Sequence, residues 1–329
     1  MKIVITGGAG FLGQRLARQL LDRFTLTGAD GQAREIEQIV LLDRMRAGLS
    51  DPRLRQIDGD VADPAVLAEA IGDGADAVFH LAAVVSGQAE AEFDLGMRVN
   101  VEAARLLLEA CRATGSRPRV VFTSSVAVYG AAGPVTDDTA LRPRSSYGAQ
   151  KAIAELLLRD YSRKGFVDGR VLRLPTIVVR PGRPNQAASS FASGIIREPL
   201  NGEAAICPVS LETRLWLLSP RSAVAALITG HELPSAALGE RRAINLPGLS
   251  VTVAEMIAAL SRVAGPEFAG RIRFRPDETI ARIVGSWPSA WDTSRAEALG
   301  FGGDDSFDAV IRAHIEEALL QNDRPEMRG

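Results

Sequence analysis

A doubly wound α/β fold, built on a mostly parallel sheet with helices on both faces, is what this sequence predicts. Short β-branched runs alternate with longer segments of helical period as far as residue 175. The runs are apolar from end to end, as strands buried on both faces must be. A glycine-rich turn, "TGGAGFLG", follows the first run directly and opens the first helix.

Taken in order, "KIVIT" (2–6) is the first strand, and "FLGQRLARQLL" (11–21) is a helix with Leu12, Leu16 and Leu20 on one face. Residues 24–35, "FTLTGADGQARE", are polar and read as a surface loop before the second strand, "EQIVLLD" (37–43). "RLRQIDGD" (53–60) gives a third strand, "AVLAEAI" (65–71) a short helix and "DAVFHLAA" (76–83) a fourth strand. The helix "VEAARLLLEACRATG" (101–115) stops on a glycine. "RVVFTSS" (119–125) is a fifth strand, "SYGAQKAIAELLLRDYSRKG" (146–165) a strong helix and "GRVLRLPTIVV" (169–179) a sixth strand.

Beyond residue 176 prolines at 181, 184, 199 and 208 break the pattern. Residues 219–230 and 251–265 are helical, "ARIVGSW" (281–287) reads as a strand, and the final helix carries Phe307, Ile311 and Ile315 on one stripe beside His314. The expected division is 1–175 for a dinucleotide-binding unit and 176–329 for a smaller substrate-binding cap. Elements at about 219–247 return to the first unit.

Composition excludes several classes. A net charge of −2 gives no electrostatic ground for nucleic acid or an anionic membrane, and no apolar run reaches the roughly 20 residues that span a bilayer. Cys111 and Cys207 cannot build a disulfide framework, and no Cys/His cluster points to a metal. The expected setting is cytoplasmic.

In the first loop, Gly7, Gly10 and Gly13 fit GxxGxxG, and Gly8, Gly10 and Gly13 fit GxGxxG. Such glycines let backbone N–H groups approach a pyrophosphate at the positive end of a helix, with Phe11 and Leu12 in its first turn. Asp43 ends the second strand, where a carboxylate accepts hydrogen bonds from both adenosine ribose hydroxyls and repels a 2′-phosphate, so NAD is expected over NADP. Arg44 and Arg46 are the reservation, since either can meet a phosphate.

"SSYGAQK" places Tyr147 and Lys151 four apart, on one face of a helix. Arginine fills 35 of the 38 basic positions, and lysine only Lys2, Lys151 and Lys164. A lysine here therefore answers a requirement: a compact ammonium on a thin stem that favours a phenolate and reaches ribose hydroxyls. Ser125 ends the fifth strand at the carboxyl edge, where open parallel sheets bind ligands. These residues point to alcohol–carbonyl redox chemistry, with a cofactor-sensing module as the non-enzymatic alternative.

In family order, "TGGAGFLG", "LLD", "GDVAD", "HLAA", "RVNV", "FTSSVAVYG", "SSYGAQK" and "RLPTIVVRPG" make the chain similar to the extended short-chain dehydrogenases/reductases. The resemblance implies a Rossmann fold and NAD-dependent oxidation of a hydroxyl on a small sugar acid, a four-carbon aldonate. Tyr147 would be the general base, Lys151 the ribose clamp and pKa modifier, and Ser125 the partner of the substrate oxygen. Asp60 and Val61 match the adenine contact, Leu81, Ala82 and Ala83 the strand edge beside the cofactor, and Asn100 the support of the catalytic helix. Sugar-nucleotide epimerases have other residues where Pro175 and Thr176 stand, which argues against that branch. Uronate or other sugar dehydrogenases and epimerases stay open as alternatives. An acid needs a cation, for which Arg183 and Arg214 are the candidates. Ser86, Gln88 and Thr176 are expected near the other substrate groups. Family members commonly pair helices equivalent to about 101–113 and 148–163, so a homodimer is expected.

Overall fold

The computed structural model describes residues 1–130, 134–182 and 184–322. Seven strands form one wholly parallel sheet: β1 (Lys2–Thr6), β2 (Gln38–Asp43), β3 (Leu54–Asp58), β4 (Ala77–His80), β5 (Arg119–Ser125), β6 (Asp168–Leu174) and β7 (Ala243–Asn245). Their spatial order is β7-β6-β5-β4-β1-β2-β3. The order reverses between β1 and β4, and in such sheets the ligand crevice opens at that switch point, beyond the carboxyl ends of the strands.

Alternation along each strand builds a core on either face. Ile3, Ile5, Ile39, Leu41, Phe79 and Val121 pack with Leu16 and Leu20 of helix α1 (Phe11–Arg23). Their neighbours Val4, Val40, Leu42, Val78, Val120 and Phe122 pack with helices α2 (Pro64–Ile71), α3 (Ala103–Thr114) and α4 (Ser146–Arg163). A third cluster, including Val178, Ile195, Leu217, Met256 and Ile311, lies within residues 178–311.

Three expectations about elements are corrected. Residues 24–35 are not a bare loop: Thr25–Thr27 and Ala33–Glu35 pair as an antiparallel hairpin, small and largely exposed. The sixth strand does not run to 179. It stops at Leu174 because Pro175 has no N–H to give the ladder, and Thr176–Ile177 joins a three-stranded sheet beside Arg214–Leu218. Residues 281–287 are not a strand but fall mostly in the helix Glu278–Gly285, whose Asp277 cap accepts from Ile280 N at 2.9 Å. Ile280, Ile283 and Val284 are its apolar stripe, at i, i+3 and i+4.

Candidate active site

Two clefts open side by side along the carboxyl edge, at and beside the switch point. One, of about 330 Å³, is lined by Gly7, Gly10, Asp43, Asp60, Val61 and Leu81 to Ala83. The glycine loop suits a dinucleotide for steric reasons. Gly7 adopts φ +72°, and a Cβ there would lie 2.8 Å from Ala82 N; a Cβ on Gly13 would lie 2.3 Å from Gly7 O. Helix α1 begins at Phe11 with no side chain capping it, which leaves its positive end to the crevice. The Asp43 carboxylate accepts from Ala9 N at 3.0 Å and Met45 N at 3.3 Å, and so stands fixed at the cleft wall. Arg46 is held by Asp58 at 2.7 Å, whereas Arg44 lines the cleft. The Asp60 carboxylate accepts from Arg98 at 2.6 Å and Ala62 N at 2.9 Å. The donors and the glycine cradle fit a dinucleotide.

The second cleft, about 320 Å³, is lined by Gly10, Phe11 and Leu12 on one side and Ser125, Tyr147 and Lys151 on another. Ser125 caps the short turn after β5, its Oγ accepting from Ala127 N at 3.2 Å. It also hydrogen-bonds the Tyr147 hydroxyl. Ser145 caps α4 through Gly148 N at 3.2 Å and so fixes the first turn that carries Tyr147. Burial pushes the Tyr147 hydroxyl up to about 12; the Arg180 charge and the Ser125 hydrogen bond pull the other way.

Lys151 is 1% exposed, donates to Thr123 O at 2.9 Å and lies 4.7 Å above the Phe122 ring centre. Burial pushes its ammonium down to about 7, opposed by the Glu155 carboxylate one turn further along α4. Glu155 anchors a buried network. It accepts from Arg173 at 2.7 Å and from Ser124, and Arg173 donates to Tyr129 Oη at 2.6 Å, which donates to Asn245 at 2.9 Å. His80 packs beneath, its Nδ1 2.7 Å from Thr6 Oγ1 and its ring stacked on Phe122; burial holds it neutral, with a pKa pushed down to about 3.

The remaining candidates divide. Ser86 and Thr176 line the crevice, and Ser86 Oγ accepts from Ala188 N at 3.1 Å. Gln88 does not join them. Two residues on along a short helix, it faces the other cleft and donates to Glu92 at 3.0 Å. Asn100 lines neither cleft; from inside the π-helical turn Met97–Glu102 it ties Val84 to Gln150 of α4, at 2.9 Å and 2.8 Å. Arg214 is not in the crevice: it is exposed at a strand start, donating to Ser250 O at 3.0 Å with Glu255 at 3.6 Å. Arg183 lies outside the described residues. His314 lines a separate cleft with Arg15, Arg197 and Glu317.

Sequence reasoning missed Arg180 and Trp287, which both line the crevice. The signal for Arg180 was a charge closing a run, 171–179, that is otherwise buried throughout. The sequence put forward Lys151 to acidify Tyr147; its Nζ lies 5.7 Å from the Tyr147 ring centre, and the Arg180 charge also lowers the pKa of that hydroxyl. The Trp287 indole N–H is buried and, among the described residues, has no partner.

The family model described as the NAD dependent epimerase/dehydratase family matches residues 3–222. This chain belongs to that family. Two relatives cover nearly the whole chain: a D-erythronate dehydrogenase of Cupriavidus necator, 65% identical over 97% of this chain and 99% of its own length, and a D-erythronate dehydrogenase of Haemophilus influenzae, 50% identical over 96% and 99%. Among solved structures, one titled as a nucleoside-diphosphate-sugar epimerase from Agrobacterium tumefaciens is 43% identical. It superposes with a TM-score of 0.89, covering 97% of this chain and 95% of its own. The seven-stranded parallel sheet is thus the dinucleotide-binding sheet of an NAD dependent epimerase/dehydratase family member. No helix among the described residues is long and apolar enough to cross a membrane.

Proposed function

We propose that this protein is an NAD-dependent dehydrogenase that oxidises the C2 hydroxyl of D-erythronate to the 2-oxo acid. The observation that carries the reading is the convergence of Ser125, Tyr147 and Lys151 in one crevice that also includes the glycine loop. The dehydrogenase names of the relatives at 65% and 50% identity support the choice of substrate. They outweigh the epimerase title at 43% identity, and Pro175 and Thr176 speak against the epimerase branch.

NAD, when bound, supplies the hydride acceptor. Asp43 receives the adenosine ribose hydroxyls, Asp60 and Val61 flank the adenine end, the Gly7–Gly13 loop carries the pyrophosphate, and Lys151 reaches the nicotinamide ribose. Ser125 hydrogen-bonds the reacting oxygen and Tyr147 removes its proton. The Arg180 charge and the Ser125 hydrogen bond oppose the burial that otherwise holds the phenol protonated, and Lys151 stands 5.7 Å from the ring centre. Residues 1–175 hold the dinucleotide, and 176–329, interleaved with elements of 219–247, hold the acid. The protein acts in the cytoplasm as a homodimer; exposed Ile153 and Leu156 on α4 support a helix-pairing surface.

Purified protein with NAD and D-erythronate will show the absorbance of reduced cofactor. Silence on four-carbon acids with turnover of hexuronates overturns the substrate, and tightly held cofactor with no net reduction favours an epimerase. Sedimentation at micromolar concentration will give a dimer; a monomer overturns the pairing.

A further inference from the structure

The crevice has an unusual charge balance. Among the described residues, its lining contains two basic side chains, Lys151 and Arg180, and no carboxylate. Lys151 is committed to Thr123 O beside the phenol. Arg180 is part-buried and lines the crevice, and among the described residues no aspartate or glutamate forms an ion pair with it. A neighbouring cation, Arg197, is already paired with Glu198 at 2.6 Å and donates to Arg180 O at 2.6 Å.

The guanidinium is also aimed. Nε donates to Ile177 O at 3.0 Å and one terminal nitrogen to Ser189 Oγ at 2.8 Å, while among the described residues the other has no partner. Ser189 precedes the helix Ser190–Leu200, so the positive end of that helix borders the same wall. A part-buried guanidinium without an anion keeps part of its desolvation cost uncompensated, which a charged partner in the crevice would relieve. Arg180 lines the same crevice as Tyr147, whose hydroxyl takes the proton.

We propose that Arg180 receives the carboxylate of the acid substrate and, through it, sets the neighbouring C2 hydroxyl against Ser125 and Tyr147. The inference rests on the reading of this protein as a sugar-acid dehydrogenase. Of the two arginines that the sequence offered for this role, Arg214 stands away from the crevice and Arg183 lies outside the described residues. Selection for an acid then arises from electrostatics: a neutral sugar leaves the guanidinium desolvated and unpaired, whereas a carboxylate takes two parallel hydrogen bonds.

The test measures acid and cofactor separately. D-erythronate is titrated calorimetrically into the wild-type protein and R180Q, each saturated with NADH, and NADH is titrated alone. R180Q is expected to weaken acid binding by roughly 10- to 150-fold, the range for a hydrogen bond to a charged group, with NADH affinity held within about twofold. R180K, which keeps the charge and loses the fork, will fall between, and it serves if R180Q does not fold. Erythritol, the neutral four-carbon polyol, titrated into the same NADH complexes will bind R180Q no worse than wild type; a purely structural role would impair both ligands alike. Unchanged acid affinity, or a parallel loss of NADH affinity, overturns the proposal. A wild-type protein that binds another sugar acid but not D-erythronate corrects only the substrate, and the same comparison is read with that acid. Binding of neutral sugars alone overturns both readings.

Discussion

Tyr147 and Lys151 are shifted in opposite directions by the same cause. Enclosure disfavours each charged form, so the phenol rises to about 12 and the ammonium falls to about 7. Proton removal from substrate then depends on the surrounding cations and on Ser125 to recover the phenolate. Tyr147→Phe should lower kcat at least ~100-fold and leave cofactor binding intact, as equilibrium titration and steady-state rates will show. Glu155→Gln removes the carboxylate that supports the Lys151 ammonium and strands the buried Arg173 guanidinium. We expect a loss of about 3–5 kcal/mol in denaturant unfolding, with kcat/KM reduced further than the stability loss explains. Lys151→Arg should fail as well, because the slot that holds the amine is 1% exposed and a planar fork exceeds it. The bias of the chain toward arginine made that lysine legible. Arg180 was not, because no period places a side chain in the proline-broken stretch after residue 175.

Elements were legible in proportion to how completely they are buried. β1, β2, β4 and β5 announce themselves as unbroken apolar runs because helices cover both faces. The hairpin at residues 25–35 is mostly exposed and polar, so it left no hydrophobic signal. Residues 281–287 were misread because adjacent Ile283 and Val284 suit either a strand or a helix, and the deciding information was the Asp277 cap. The first βα turn shows how close the fit is. Gly13→Ala sets a methyl 2.3 Å from Gly7 O, a backbone atom that cannot swing aside. The loop must spread, at about 1–3 kcal/mol. We expect a lower melting temperature together with a more than tenfold weaker NAD affinity, and an NAD affinity equal to wild type would contradict the assignment of that loop.

For the whole molecule, the consequence of burial is acid sensitivity. His80 and His231 are enclosed and held neutral, each with its pKa pushed down to about 3 from 6.5. Between those values the unfolded chain binds protons that the folded chain refuses, so stability rises with pH and is lost as pH falls from about 6.5 toward 3. Urea midpoints measured from pH 7 to pH 4 should decline, and His231→Gln should flatten the slope; an unchanged slope would exclude His231 as a contributor. The parallel sheet and its glycine loop followed from alternation and glycine placement, whereas the strand order and the cap's own pairings did not, because they join segments distant in sequence. One contiguous stretch, residues 174–180, contributes Leu174, Pro175, Thr176, Ile177 and Arg180 to the crevice wall, while the strands that carry the dinucleotide loops lie elsewhere. Substitutions confined to that stretch can therefore reshape one wall of the crevice without touching the glycine loop or Asp43.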